Sequence, residues 1–439
     1  MSGRIFALRS GVVAAMLCAS LSVASAQAKP PVEAFAALPA EPPQISPDGS
    51  RFALIRGVNG RPTVLVYKID APQEPPQSIG SDSRIVTWLR WVKNDALVIT
   101  DRQNIDKGII TTNLRPTAHE FVVTLKDNKV SGLLPYSRID DIDLDNADTI
   151  YATFLNTLVR VDILSGGTIQ PVMTQEQHAD HAVTNRWFLD GHGNVVARRD
   201  VKLDDDKVSW HAALKITDHN NIWRPLAEFD GSVDQSDGVV GISEDGKAFI
   251  RFAPDNTGTT SVDRIDMATG AETKLFQDPV YDASGPLEDP WTGRVIGYIV
   301  DEDLPVYHYF DARREALQKS LEMAFPGLSV HAISTDLAGN RAIVEAEGPK
   351  TPPSYYLYDR TTHHANAVAA SYPDLNESEM GEVRRYGYTA RDGLHVPAYL
   401  TLPPGRDPHK LPLVVMPHGH VFRVRCISRE LGGDLGLLA

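Results

Sequence analysis

Between residues 45 and 360 the apolar positions do not recur with a helical period. They alternate with polar ones in short runs bounded by Gly, Asp or Asn, the signature of half-buried strands separated by tight turns. The run Ile45-Ser46-Pro47-Asp48-Gly49-Ser50-Arg51-Phe52-Ala53-Leu54-Ile55 sets the pattern: a turn, then an alternating strand. Comparable units begin at Trp91, Asp145, Leu189, Ile242, Asp289 and Ser334. A second strand usually follows, at Thr63–Lys68, Leu158–Ile163, Ser261–Met267, Val306–Asp311 and Ser354–Asp359.

The turns are spaced by roughly 45 to 55 residues, the period of four-stranded propeller blades. Seven such units fit between 45 and 360. One blade cannot bury both faces of its sheet, whereas radial packing of neighbours can. The pattern therefore predicts a mainly β fold, a seven-bladed β-propeller, with two stacked β-sandwiches as the alternative. One stretch reads as helix, Arg313–Ala324, made of good helix formers and stopped before Pro326-Gly327. It is expected as an insertion between the sixth and seventh blades.

Composition narrows the function. The 439 residues are 42% hydrophobic and 23% charged, which suits a folded soluble protein rather than a disordered or polytopic membrane chain. A net charge of −14 argues against nucleic acid, whose phosphates need a basic face. Residues 1–26 read as a signal peptide: Arg4 and Arg9, an apolar run from Gly11 to Val23, then Ala24-Ser25-Ala26 as a small-x-small cleavage pattern. The apolar run is short for a membrane span, so an exported, periplasmic protein is expected, with no membrane partner. Cys18 lacks the preceding small residue of a lipidation site, which favours a soluble product over a lipoprotein. Its removal would leave Cys426 alone, and no disulfide framework is expected.

After Asp374 the blade rhythm stops. Val383–Thr389 and Leu394–Thr401 read as strands around an Arg391-Asp392-Gly393 turn, and Leu411–Met416 as a buried strand after the loop Pro403–Pro408. Tyr388-Thr389-Ala390-Arg391-Asp392-Gly393, Val396–Pro403 and Leu413-Val414-Val415-Met416-Pro417-His418-Gly419 together resemble the opening of the catalytic domain in the prolyl oligopeptidase family, in its acylaminoacyl-peptidase and dipeptidyl-peptidase branch. The resemblance covers nearly all of the chain between the signal and residue 419. It implies a propeller followed by the first strands of an α/β-hydrolase domain, incomplete here. The expected division is 1–26 signal peptide, 27–44 extension, 45–375 propeller, 376–420 start of the peptidase domain and 421–439 an aberrant tail.

That family would hydrolyse oligopeptides through an acyl-enzyme, with the propeller filtering substrates and without metal or organic cofactor. The chemistry needs a nucleophilic Ser on a Gly-x-Ser-x-Gly elbow, followed in sequence by Asp and His. The sequence contains no such elbow, so the triad is absent and this chain is expected to be inactive. Gly241-Ile242-Ser243-Glu244-Asp245-Gly246 falls short by one glycine and sits in a propeller turn. What remains is an oxyanion-loop remnant, His418, Gly419 and His420, where the resemblance implies Pro-His-Gly-Gly-Pro. His420 stands at the second Gly, a position that favours positive φ. His418 reads as a loop-packing residue rather than a base.

The segment 421–430, with three arginines in an acidic protein, does not continue the family pattern. It is expected to be out-of-frame translation, against a genuine short C-terminus as the alternative. Other clusters carry less. His178, Asp180 and His181 lack a third fixed ligand for zinc. Asp140-Asp141-Ile142-Asp143 and Asp204-Asp205-Asp206 lack calcium-loop spacing and read as solvated turns. Trp88, Trp91, Trp187, Trp210, Trp223 and Trp291 read as blade-packing aromatics, or as lining of a substrate channel. His363-His364 sits in a polar turn. The competing function is a non-enzymatic propeller serving as a binding or scaffold protein of the periplasm.

Overall fold

Ser46 and Asp48 show why each unit turns where it does. Ser46 Oγ donates to Asp48 Oδ1 at 2.7 Å and accepts from Arg51 N at 3.0 Å, while Asp48 Oδ1 also accepts from Ser50 N. The same clasp recurs at Ser243 and Asp245, where Ser243 Oγ donates to Asp245 Oδ1 and accepts from Ala248 N. Burial pushes the Asp48 carboxyl up, but the bonds from Ser46 and Ser50 outweigh it and hold the group below the usual carboxylate range. The Ser-x-Asp-Gly pattern is thus turn chemistry, and Ser243, 4% exposed, is structural.

The structure is a computed structural model. It describes residues 31–36, 38–80, 84–103, 118–127, 129–132, 138–146, 148–154, 157–163, 168–174, 183–204, 207–215, 223–232 and 238–416. The expected signal segment and the expected tail, 421–439, lie outside the described residues.

Seven antiparallel meanders follow one another along the chain, over residues 44–79, 84–132, 138–174, 183–232, 238–276, 283–309 and 329–370. Each pairs its strands in sequence order, and first strands meet those of neighbouring blades, so each is a blade with its first strand innermost. Contacts pass from blade to blade around a ring. Arg51 Nη1 reaches Asn94 O, Lys93 pairs with Asp148, Leu144 N donates to Gly191 O, and Phe188 packs edge-on against Phe249. Ser243 bridges Val295, Ser329 Oγ donates to Pro305 O, and Arg341 pairs with Asp70. This is the seven-bladed propeller expected from the repeat.

Six blades have four strands, and the sixth has three. The expected helix is present as Ala312–Ala324, but it stands where blade six would carry its outer strand rather than as an addition between complete blades. Asp311 caps it, its carboxylate accepting from Arg313 N and Arg314 N. The helix also satisfies one N–H of the open strand edge: Glu315 Oε2 accepts from Tyr309 N at 3.0 Å. Its inner face buries Leu321 against Val330, Val344 and Ala346 of blade seven.

Blades one and seven share no strand. The ring closes through Ile45 N donating to Ser334 Oγ, Leu337 N to Pro47 O, and a core of Ile45, Phe52, Leu54, Ile343 and Tyr355. Ala40, just before the first blade, exchanges hydrogen bonds with Ser371, just after the last.

Beyond the ring, Glu382–Thr389 and His395–Leu402 form the expected hairpin, closed by Ala390 N donating to Leu394 O. Leu411–Met416 is not a strand, contrary to expectation. Among the described residues no strand pairs with it, and Leu413 and Val415 are 77% and 74% exposed, so neither backbone pairing nor burial there holds it extended. Because the strands are antiparallel, first-to-second-strand turns lie on one face of the ring and second-to-third-strand turns on the other. The hairpin sits on the latter face, where Arg385 and Tyr399 meet Asp303 and Glu377 accepts from Thr351.

Candidate functional site

The innermost strands converge on the ring axis, and near the first-turn face these strands and the first turn of blade six bring charges from four blades together. Blade two supplies Arg90, blade three Asp141, blade four Arg186, and blade six Glu288 and Arg294. Arg90 Nη2 donates to Pro290 O at 3.1 Å. Arg186 Nη2 lies 3.3 Å from Glu288 Oε1, a pair that skips blade five. Asp141 is 4% exposed, and its two oxygens accept from Ile142 N at 2.8 Å and from Gly191 N of the next blade at 3.0 Å.

The electrostatics follow from burial. Desolvation pushes the Asp141 carboxyl up to about 6, and the two backbone N–H groups and the charges of Arg90 and Arg294 offset it only in part. Burial likewise lowers Arg294 from its usual value, against Asp141, Asp190 and Asp245. Arg294 Nη1 is buried with no hydrogen-bond partner among the described residues. The cluster can hold non-adjacent blades together and set the potential at this end of the channel. It contains no nucleophile beside a base.

The residues singled out from sequence fall into three groups. His418, Gly419 and His420 lie outside the described residues, as do His178, Asp180, His181, Asp205 and Asp206. Asp140 and Asp143 are spent on local bonds: Thr153 Oγ1 donates to Asp140, and Asp145 N and Asn146 N donate to Asp143. Among the described residues no three His, Cys, Asp or Glu gather as a metal site would need. In its turn His363 meets Tyr358 OH through its ring and donates its N–H to Asp359 O.

Trp91 and Trp187 are packed as blade aromatics, 1% and 4% exposed, whereas Trp88 on the innermost strand of blade two is 40% exposed. Sequence reading missed Arg90, Arg186, Glu288 and Arg294. Arg90, Arg186 and Glu288 sit in ordinary alternating strands, and nothing local says that these are innermost, while Arg294 sits in the turn just before a second strand.

Comparison with known proteins bears on the whole arrangement. No family model matches the chain. Dipeptidyl aminopeptidase BIII of Pseudoxanthomonas mexicana is 23% identical over 400 residues, covering 86% of this chain and 54% of that protein. The fold matches prolyl oligopeptidase B from Galerina marginata bound to a 35mer substrate, with a TM-score of 0.54 at 10% identity over 83% of this chain and 55% of that one. It also matches oligopeptidase B from Leishmania major, with a TM-score of 0.50 at 10% identity over 86% and 56%. In sequence the chain is thus similar to a dipeptidyl aminopeptidase, and the solved structures whose fold it shares are prolyl oligopeptidase-family peptidases. It spans about half the length of the relatives that it matches. The seven blades are the propeller of the prolyl oligopeptidase fold.

Proposed function

We propose that these residues form the access and positioning half of an exported serine peptidase of the prolyl oligopeptidase family, acting on oligopeptides through an acyl-enzyme. The observation that carries this reading is the 400-residue similarity to a dipeptidyl aminopeptidase, too long to stop within the propeller. The nucleophile is not among the 439 residues, which hold no Gly-x-Ser-x-Gly elbow. The propeller contributes the ring that limits what reaches the catalytic centre, and the hairpin Glu382–Leu402 opens the domain that would carry it. Residues 1–26 direct the product to the periplasm. The 439-residue chain by itself is inactive.

The test is labelling of the native host's periplasmic extract with a fluorophosphonate, followed by mass spectrometry of the labelled band. Peptides from 45–416 in a labelled polypeptide longer than 439 residues support the reading. A periplasmic product that carries those peptides and never labels favours a non-enzymatic binding propeller.

A further inference from the structure

The first turn of blade six, Asp289-Pro290-Trp291-Thr292-Gly293, does not stay within its own blade. Asp289 Oδ1 shapes it by accepting from Trp291 N and Thr292 N. Arg314, on the helix that replaces the fourth strand, donates to Asp289 Oδ2 at 3.0 Å. Pro290 O accepts from Arg90 of blade two, and Trp291 Nε1 donates to Thr335 O of blade seven at 2.8 Å. The Trp291 ring, 6% exposed, packs into the apolar cluster that contains Trp91 and is built from blades one to three.

These contacts fix where the turn lies. In a ring of seven, blades two and six stand three places apart, the greatest separation that the ring allows. A turn from blade six that touches blade two and packs with blades one to three has crossed the axis. A tryptophan that only packed its own blade would meet the adjacent blades alone. Arg186 and Glu288 add a second link, from blade four to blade six, at the same end.

We infer that the turn 289–293 is a plug across the central channel, with Trp291 as its stopper and Arg90 and Arg314 as its latches. The channel is therefore closed at its first-turn end. The geometry carries this whether or not the protein is a peptidase.

The test uses the full chain with Cys18 and Cys426 replaced by Ser and one reporter thiol, Trp88→Cys, on the innermost strand of blade two. Its labelling is timed with N-ethylmaleimide and with a bulky polymer-linked maleimide. Opening the plug with Trp291→Gly, or unlatching it with Arg90→Met, is expected to speed the bulky reagent about tenfold, as local opening of a closed segment does. N-ethylmaleimide should change far less. Arg90→Met leaves the apolar core intact, so it serves if Trp291→Gly melts early. A bulky-reagent rate that neither substitution moves, fast or slow, overturns the plug.

Discussion

Arg341 of blade seven holds Asp70 of blade one, Nη2 to Oδ1 at 2.8 Å, across the point where the ring closes on itself. Its Nη1 also donates to Gly49 O at 2.8 Å. Nearby, buried Ser334 Oγ accepts from Ile45 N. A propeller whose first and last blades share no strand relies on such side-chain contacts where other sheets use ladder bonds.

The two seam contacts should differ in weight. Arg341→Ala removes a partly exposed ion pair and is expected to cost about 1 kcal/mol. Ser334→Ala leaves the buried Ile45 N–H without its acceptor, at roughly 1–3 kcal/mol. Urea unfolding of the two variants measures both. An Arg341→Ala penalty well above that of Ser334→Ala would mean that charge rather than buried hydrogen bonding closes the ring.

Phe249, fully buried, meets Phe188 of the preceding blade with ring centroids 5.6 Å apart. Phe249→Ala empties the interface between blades four and five and should cost about 3–5 kcal/mol. Calorimetry on wild type and variant reads this as a lower Tm. A shift no larger than that of an exposed-site control such as Met323→Ala would place the core elsewhere.

Asp141 gives the protein a pH signature. Its folded value, about 6, lies above that of an unfolded aspartate, so the group favours folding when protonated. That contribution is complete below about pH 4 and lost as pH rises through 6. The loss is on the order of 3 kcal/mol for a shift of this size. Asp141→Asn removes the titration. The stability difference between wild type and variant should therefore slope against wild type from pH 4 to 7. Parallel melting curves over that range would refute the assignment.

Gly193 has φ of 85°, and a methyl group on it would run into the Tyr151 hydroxyl of the preceding blade. Gly193→Ala should thus cost about 2–3 kcal/mol, the left-handed backbone penalty and the overlap together. Pairing it with Tyr151→Phe separates the two. If the hydroxyl is the obstacle, the double variant recovers part of the loss.

The fold was legible where it is local. Ser46 and Asp48, or Ser243 and Asp245, write their own turn because donor and acceptor are two residues apart. The helix Ala312–Ala324 was legible for the same reason, its helix-forming residues and the Pro326-Gly327 stop lying next to one another. Leu411–Met416 misled because an apolar run becomes a strand only when another strand pairs with it. The channel cluster was silent: Arg90 and Pro290 are two hundred residues apart, and alternation looks the same in an inner strand and an outer one.

By itself, then, the sequence determined the strands, their turns, their repeat and the number of blades, since each depends on residues within a few positions of one another. Only the tertiary structure decided which charges face the axis, that a helix replaces one strand, and that Trp291 lies across the channel. Closure of the ring sets those distances, and no segment contains the closure.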